Sequence, residues 1–329
     1  MAAFTGGRTV PSARYRLRQF VPALASHGIN VAEYWPRLGC YPPRNALARP
    51  VWAAGIVAER LVQVAASRRA DVVFLQREMV STLATVEGLT RRPRIVDIDD
   101  AIHLLRGGRA ARHLAALADR VVVGNAWLAE VWRAWNPAVE IVPTVVDPTL
   151  YPLAPPPERP VLGWIGTSGN LGSLEALAEP LALVARRFPG LTLAVCCDRA
   201  PRLAGVPVRF VPWRPDIEYD FLQEISVGLM PLEDTLWARG KCSFKMLQYL
   251  AAGRPCVVSP IGMNADILAQ AEVGLPAATP DQWAEALSAL LADPDGAHRL
   301  GRQGRELVDS SYSLDRWAPH LARIVSELI

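Results

Sequence analysis

Short apolar runs of four to seven residues, rich in β-branched side chains, recur along this chain with helix-period stretches between most of them. In the first half they are Asp71–Leu75, Arg94–Ile98, Arg120–Val123 and Glu140–Pro143. In the second half they are Val161–Ile165, Leu191–Cys197, Val208–Val211, Ser226–Met230 and Pro255–Ser259. Strand-length runs alternating with helices predict parallel α/β structure. Their continuous apolar character predicts sheets covered on both faces.

A chain of 329 residues exceeds the usual single core, so two domains are expected. The segment Pro143–Pro160 carries seven prolines in 18 residues, a density that resists helix and central strand and reads as a semi-rigid connector. Two doubly wound domains are therefore expected, 1–148 and 149–310, followed by an amphipathic helix candidate in Ser313–Ile329. Only Met1–Thr5 precedes Gly6-Gly7, so either the first strand is very short or the native start lies upstream. The five cysteines are odd in number and form no C-x-x-C pair, which fits reduced, buried thiols better than disulfides or a zinc site. Met1–Arg8 lacks the order of a signal peptide, and no apolar stretch reaches membrane-spanning length. A cytoplasmic protein is expected. Residues 1–150 hold 19 arginines against 12 acids, while the remainder is net negative. The basic half suits an anionic membrane surface or an anionic substrate, or is plain solvated surface.

Lysine occurs only twice, in GKCSFKMLQYLAAGRP, at Lys241 and Lys245. Four residues apart on one helix, both ammonium groups would share a face near the helix N-terminus, where the macrodipole already favours negative charge. Such a pair suits a phosphate clamp; otherwise both point into water. A second phosphate signal is Gly166-Thr167-Ser168-Gly169-Asn-Leu-Gly172, which follows the run Val161–Ile165 and leads into a helix. Glycine turns before a helix start make an anion cradle of backbone N–H groups, although an ordinary turn reads the same way. The spacing is not G-x-G-x-x-G, and no acidic residue ends the next strand at the expected offset, which argues against a nicotinamide site. Asp97-Ile-Asp99-Asp100 contains a D-x-D spacing. It could hold a metal, line an acceptor site or merely cap a helix.

Taken together, GWIGT at Gly163–Thr167 and VGLMPLEDTLWARGKCSFKMLQYLAAGRPCVVSPIGMNADIL at Val227–Leu268 resemble retaining GT-B glycosyltransferases of family 4. PTVVDPTLY resembles that family's interdomain turn, and VPSARYRLRQFVPAL the first helix of one branch. The resemblance implies two Rossmann-like domains facing a cleft, with the last helix, 311–329, crossing back to the first domain. It implies transfer of a hexose from a UDP- or GDP-linked donor to a carbohydrate, lipid-linked or small-molecule acceptor, with retention. No metal, no other cofactor and no nucleic acid are implied, and peripheral contact with the inner face of the membrane is compatible with it. Lys241 and Lys245 are then catalytic, stabilising the leaving diphosphate. Gly166, Thr167, Ser168, Gly169, Arg199, Trp213, Ser243, Phe244 and Gln248 are donor-binding, with Arg202 an alternative to Arg199. Arg14, Arg16, Asp99 and Asp100 lie on the acceptor side. The family's two donor-site glutamates, one at the sugar and one at the ribose, correspond here to Gly240 and Gln248. Two rivals remain: a sugar-nucleotide epimerase of the same architecture, and a silent sugar-nucleotide-binding partner of another transferase.

Overall fold

The computed structural model describes residues 1–329, which divide into two compact units. The first comprises Met1–Val145, Gly240–Cys242 and Leu314–Ile329; the second comprises Val146–Arg239 and Ser243–Ser313. The chain therefore passes between units four times, whereas a single passage at the connector and a late return were expected. Both are Rossmann-like α/β units, each a parallel sheet with surrounding helices.

In the first unit, β1 (Ala2–Phe4), β2 (Ala32–Tyr34), β3 (Val73–Gln76), β4 (Arg94–Ile98), β5 (Arg120–Val123) and β6 (Val139–Ile141) form one parallel sheet. Its order is β2-β1-β3-β4-β5-β6. The first strand has only three residues, yet it sits inside the sheet and is fully buried. Strands β3 and β4 are buried along their whole length, as continuous apolar runs require. One face of this core joins Phe74, Ile95 and Val122 to Leu17, Phe20 and Leu24. It is completed by Leu321, Ile324 and Val325 of the helix Leu314–Ser326, which packs on the helix Val21–Ser26. That helix contains Pro319, but its inner stripe recurs at the three-to-four-residue helical spacing.

The second sheet contains β7 (Val161–Ile165), β8 (Thr192–Cys197), β9 (Val208–Pro212), β10 (Val227–Met230), β11 (Cys256–Val258) and β12 (Gly274–Pro276). Its order is β12-β11-β10-β7-β8-β9, again all parallel. Leu162, Trp164, Leu193 and Val195 meet Leu174, Leu181, Val184 and Leu287 on one face. The edge strand β9 is an exception to two-sided cover: Arg209 and Phe210 are exposed. The helix Phe244–Ala251 ends where Gly253 adopts φ +69°, a left-handed conformation that relieves the last turn before β11.

Candidate functional site

In open α/β sheets, ligands gather at the carboxyl ends of the strands, and β7 ends there at Ile165. The next residue, Gly166, donates its N–H to the Cys196 carbonyl at 3.0 Å and so extends the ladder. Lys245, on the first turn of the helix Phe244–Ala251, reaches over this point. Its Nζ lies 5.4 Å from the centroid of the Trp164 ring, in cation–π range. A Cβ added at Gly166 would stand 2.7 Å from Lys245 Cε and 2.8 Å from Trp164 Cη2. Glycine is therefore required by close approach, and the glycine loop and one lysine do converge in the second unit. No acidic residue occupies the first turn of that helix, leaving its positive end uncompensated.

The loop itself is less open than its glycines suggest. Ser168 gives both its N–H and its hydroxyl to Asp198, each at 2.6 Å. Burial works upward on the Asp198 carboxyl, but these hydrogen bonds outweigh it and hold its pKa below the usual value. The Ser168 amide thus serves a carboxylate rather than facing an empty anion cradle. Asp198 immediately follows β8. It braces its own loop. Thr167 and Gly169 are exposed, and Asn170 closes the turn on the Thr167 carbonyl at 2.9 Å.

Lys241 is not on the helix. Ser243 takes φ +50°, which breaks helical geometry and delays the helix start to Phe244. Lys241 and Lys245 therefore do not stack one turn apart on a shared face. Residues Gly240–Cys242 belong instead to the first unit. There the Asn125 side chain donates to the Lys241 carbonyl at 3.1 Å, and Cys242 Sγ donates to the Asp99 carbonyl at 3.3 Å. Burial pushes the Asp100 carboxyl's pKa up, against the pull of Arg77 and, more weakly, of the Lys241 ammonium. Gly240 is equally constrained: a Cβ there would be 2.7 Å from Ala101 Cβ and 2.9 Å from its backbone N.

Two residues expected to touch the donor face inward. Ser243 is buried and donates its hydroxyl to Asn264 Oδ1 at 2.7 Å. Gln248 is only 2% exposed and turns its amide toward the Tyr151 hydroxyl at 3.4 Å, so it is part of the packed interior rather than a ribose contact. Phe244 is half-buried at the helix start. Trp213 follows β9 half-buried, its indole N–H donating to Glu218 Oε1 at 2.8 Å. Arg199 is exposed beyond β8.

In the first unit most of the expected acceptor-side charges are engaged in ion pairs with other residues of that unit. Arg16 is 3% exposed; its Nη2 lies 2.5 Å from Asp97 and its Nη1 donates to the Val142 carbonyl at 2.6 Å. It is a core residue. Burial pushes the Asp97 carboxyl up, against the pull of Arg16. Asp99 and Asp100 both hold Arg77, whose Nε donates to Asp99 at 2.6 Å and Nη2 to Asp100 at 2.9 Å. Burial opposes the charge on Arg77, but the two carboxylates outweigh it and raise its pKa. No cluster of acids, histidines or cysteines with the arrangement of a metal site is present. Arg14 is half-buried with its guanidinium 4.8 Å from the Tyr15 ring centroid. Arg77, whose φ is +58°, had no sequence signal beyond standing directly after β3.

Residues 159–293 match the family described as glycosyl transferases group 1. The whole chain shares its fold with sucrose-phosphate synthase from Thermosynechococcus elongatus, at TM-score 0.69 and 16% identity over 99% of this chain and 98% of that one. HepE from Anabaena, in complex with UDP and glucose, superposes at 0.68 with 15% identity over 99% of both chains. WaaG, a glycosyltransferase involved in lipopolysaccharide biosynthesis, superposes at 0.70 with 15% identity over 98% and 99%. No curated protein matches the sequence. These neighbours establish the GT-B type of two-domain Rossmann-like fold. The family match lies on the second unit, where Lys245 and Gly166 converge.

Proposed function

We propose that this protein transfers a sugar from a nucleoside-diphosphate donor to an acceptor hydroxyl, retaining the anomeric configuration and using no metal ion. The observation that carries the reading is Lys245 held across Gly166 and Trp164 at the carboxyl end of β7, inside the segment that matches the glycosyl transferase family. In the transfer, the bond from the anomeric carbon to the diphosphate breaks and one to the acceptor oxygen forms on the same face. The acceptor proton passes to the departing diphosphate. Negative charge grows on that diphosphate, and a fixed ammonium beside a helix N-terminus stabilises it more in the transition state than in the ground state. UDP is the favoured nucleotide, since HepE is seen with UDP and with UDP-glucose. Trp213 is proposed as the base platform and Arg199 as a second cation on the diphosphate. The cytoplasm is the proposed location.

The silent-partner reading draws support from Gly240, where the Ala101 backbone leaves no room for the carboxylate that related transferases carry. One assay separates the two. Purified protein is given a panel of UDP- and GDP-sugars, and release of nucleoside diphosphate is followed with and without candidate acceptors. Acceptor-stimulated release, with an axial-to-axial product by proton NMR, is expected. Tight nucleotide binding without release or product would make the protein a silent module, and a new sugar nucleotide without release an epimerase.

A further inference from the structure

The helix Arg49–Ala66 of the first unit turns an apolar face to solvent. At 100° per residue, its exposed arc contains Val51, Ala54, Ala58, Leu61, Val62 and Ala65, with no polar side chain among them. Val51 is 77% and Val62 70% exposed, and Leu47, two residues before the helix, is 87% exposed. The opposite arc is already used: Ile56, Arg60 and Val64 are buried, and Arg60 donates to the Thr5, Tyr34 and Met79 carbonyls. Scattered exposed apolar residues are ordinary, but an 18-residue helix with a continuous apolar outer stripe is not.

The ends of this stripe are basic. Arg44 and Arg49 are exposed at the amino end and Arg68 and Arg69 at the carboxyl end, while exposed Arg37 stands beside Glu59. The acid on its flank, Glu59, is occupied by the Arg37 backbone N–H at 3.0 Å. We infer that this helix lies flat on an anionic lipid surface, its stripe in the acyl boundary and its arginines among the headgroups. At about 27 Å long and with polar groups on its inner arc, it is built to lie in the interface rather than to cross it. A second copy of the chain fits the face poorly. A two-fold contact would lay the same five arginines against their symmetry mates. The inference is independent of the sugar-transfer reading, because it uses no residue of the second unit.

The test is co-sedimentation of the full chain with phosphatidylcholine vesicles that do or do not contain about a third phosphatidylglycerol. Binding is expected only with the anionic lipid, and to fall as salt is raised. The double variant Val51→Glu, Val62→Glu should lose at least about tenfold in partitioning, with unchanged thermal unfolding because both side chains are in water. Arg49→Gln and Arg69→Gln should each weaken binding about fivefold. Absence of binding to anionic vesicles overturns the inference, as does equal binding to both vesicle types or full binding by the double glutamate variant. Light scattering after gel filtration covers the remaining occupant: a concentration-dependent dimer that the glutamates abolish would assign the face to a second copy and overturn the lipid assignment.

Discussion

The Lys245 side chain crosses Gly166 so closely that a methyl group at Gly166 would stand 2.7 Å from the lysine Cε. The Trp164 ring, whose Cη2 would stand 2.8 Å from the same methyl group, closes the space as well. Lys245→Ala is therefore expected to weaken UDP by about 10- to 150-fold, the worth of one charge-assisted hydrogen bond at about 1.5–3 kcal/mol. UMP and uridine should be affected far less. Gly166→Ala should reproduce part of that loss by displacing the lysine. Lys241→Ala should change UDP affinity only a few-fold, since Lys241 stands beside Asp100 in the first unit. Isothermal titration of the three variants with UDP, UMP and uridine decides this. Equal losses for both lysines would restore a two-lysine clamp, and unchanged UDP affinity in Lys245→Ala would remove the proposed donor site.

Gly240→Glu should harm this protein rather than improve it. The new Cβ meets Ala101 Cβ at 2.7 Å and its backbone N at 2.9 Å, a collision whose relief costs about 1–3 kcal/mol. The urea midpoint should drop, and turnover should not rise. A gain in turnover at unchanged midpoint would show that the segment can move aside.

Arg16 and Asp97 form a buried ion pair. Asp97→Asn should destabilise by about 3–5 kcal/mol, because an unpaired guanidinium stays buried. The double variant Arg16→Met, Asp97→Leu should recover much of that loss. Chemical denaturation of the single and double variants measures it, and a double variant no better than Asp97→Asn would place the cost elsewhere.

Turnover is expected to survive a chelator. The acids of the D-x-D cluster already hold Arg16 and Arg77, and an arginine in the first shell disfavours a divalent cation there. Loss of activity in EDTA, restored by Mg²⁺ or Mn²⁺, would reverse this.

Burial pushes the Cys242 and Cys256 thiols up to about 12 from 9.0. A folded pKa above the unfolded one means the stabilisation is complete below pH 9 and is lost as pH rises toward 12. The urea midpoint should fall between pH 8 and pH 10, and less steeply in Cys256→Ala. At pH 8 a thiol reagent should modify one cysteine readily, the half-buried Cys40, with the other four released only on unfolding. Rapid labelling of several thiols in the native state would contradict the burial described above.

Much of the fold is legible in the sequence because continuous β-branched runs have few alternatives: β4, β5 and β7 coincide residue for residue with the runs read from composition. The edge strands β2 and β12 escape because Ala-Glu-Tyr and Gly-Leu-Pro are not continuous apolar runs. The site was read less well. The glycine loop and Lys245 point to one place from opposite ends of the second unit. The lysine pairing fails at Ser243, a residue whose chemistry does not announce a left-handed conformation. Asp198 and Arg77 were missed for a related reason: their roles depend on partners 30 and 22–23 residues away. Local pattern does not reach that far.

The core of the first unit closes on Leu321, Ile324 and Val325, side chains from the far end of the sequence. During synthesis, six strands of that unit can leave the ribosome with the apolar face over Phe74, Ile95 and Val122 still uncovered. The second unit, whose sheet and helices are complete by residue 313, emerges in the meantime and can finish first. For this chain the order of translation and the order of completion are reversed: the part made first is the part finished last.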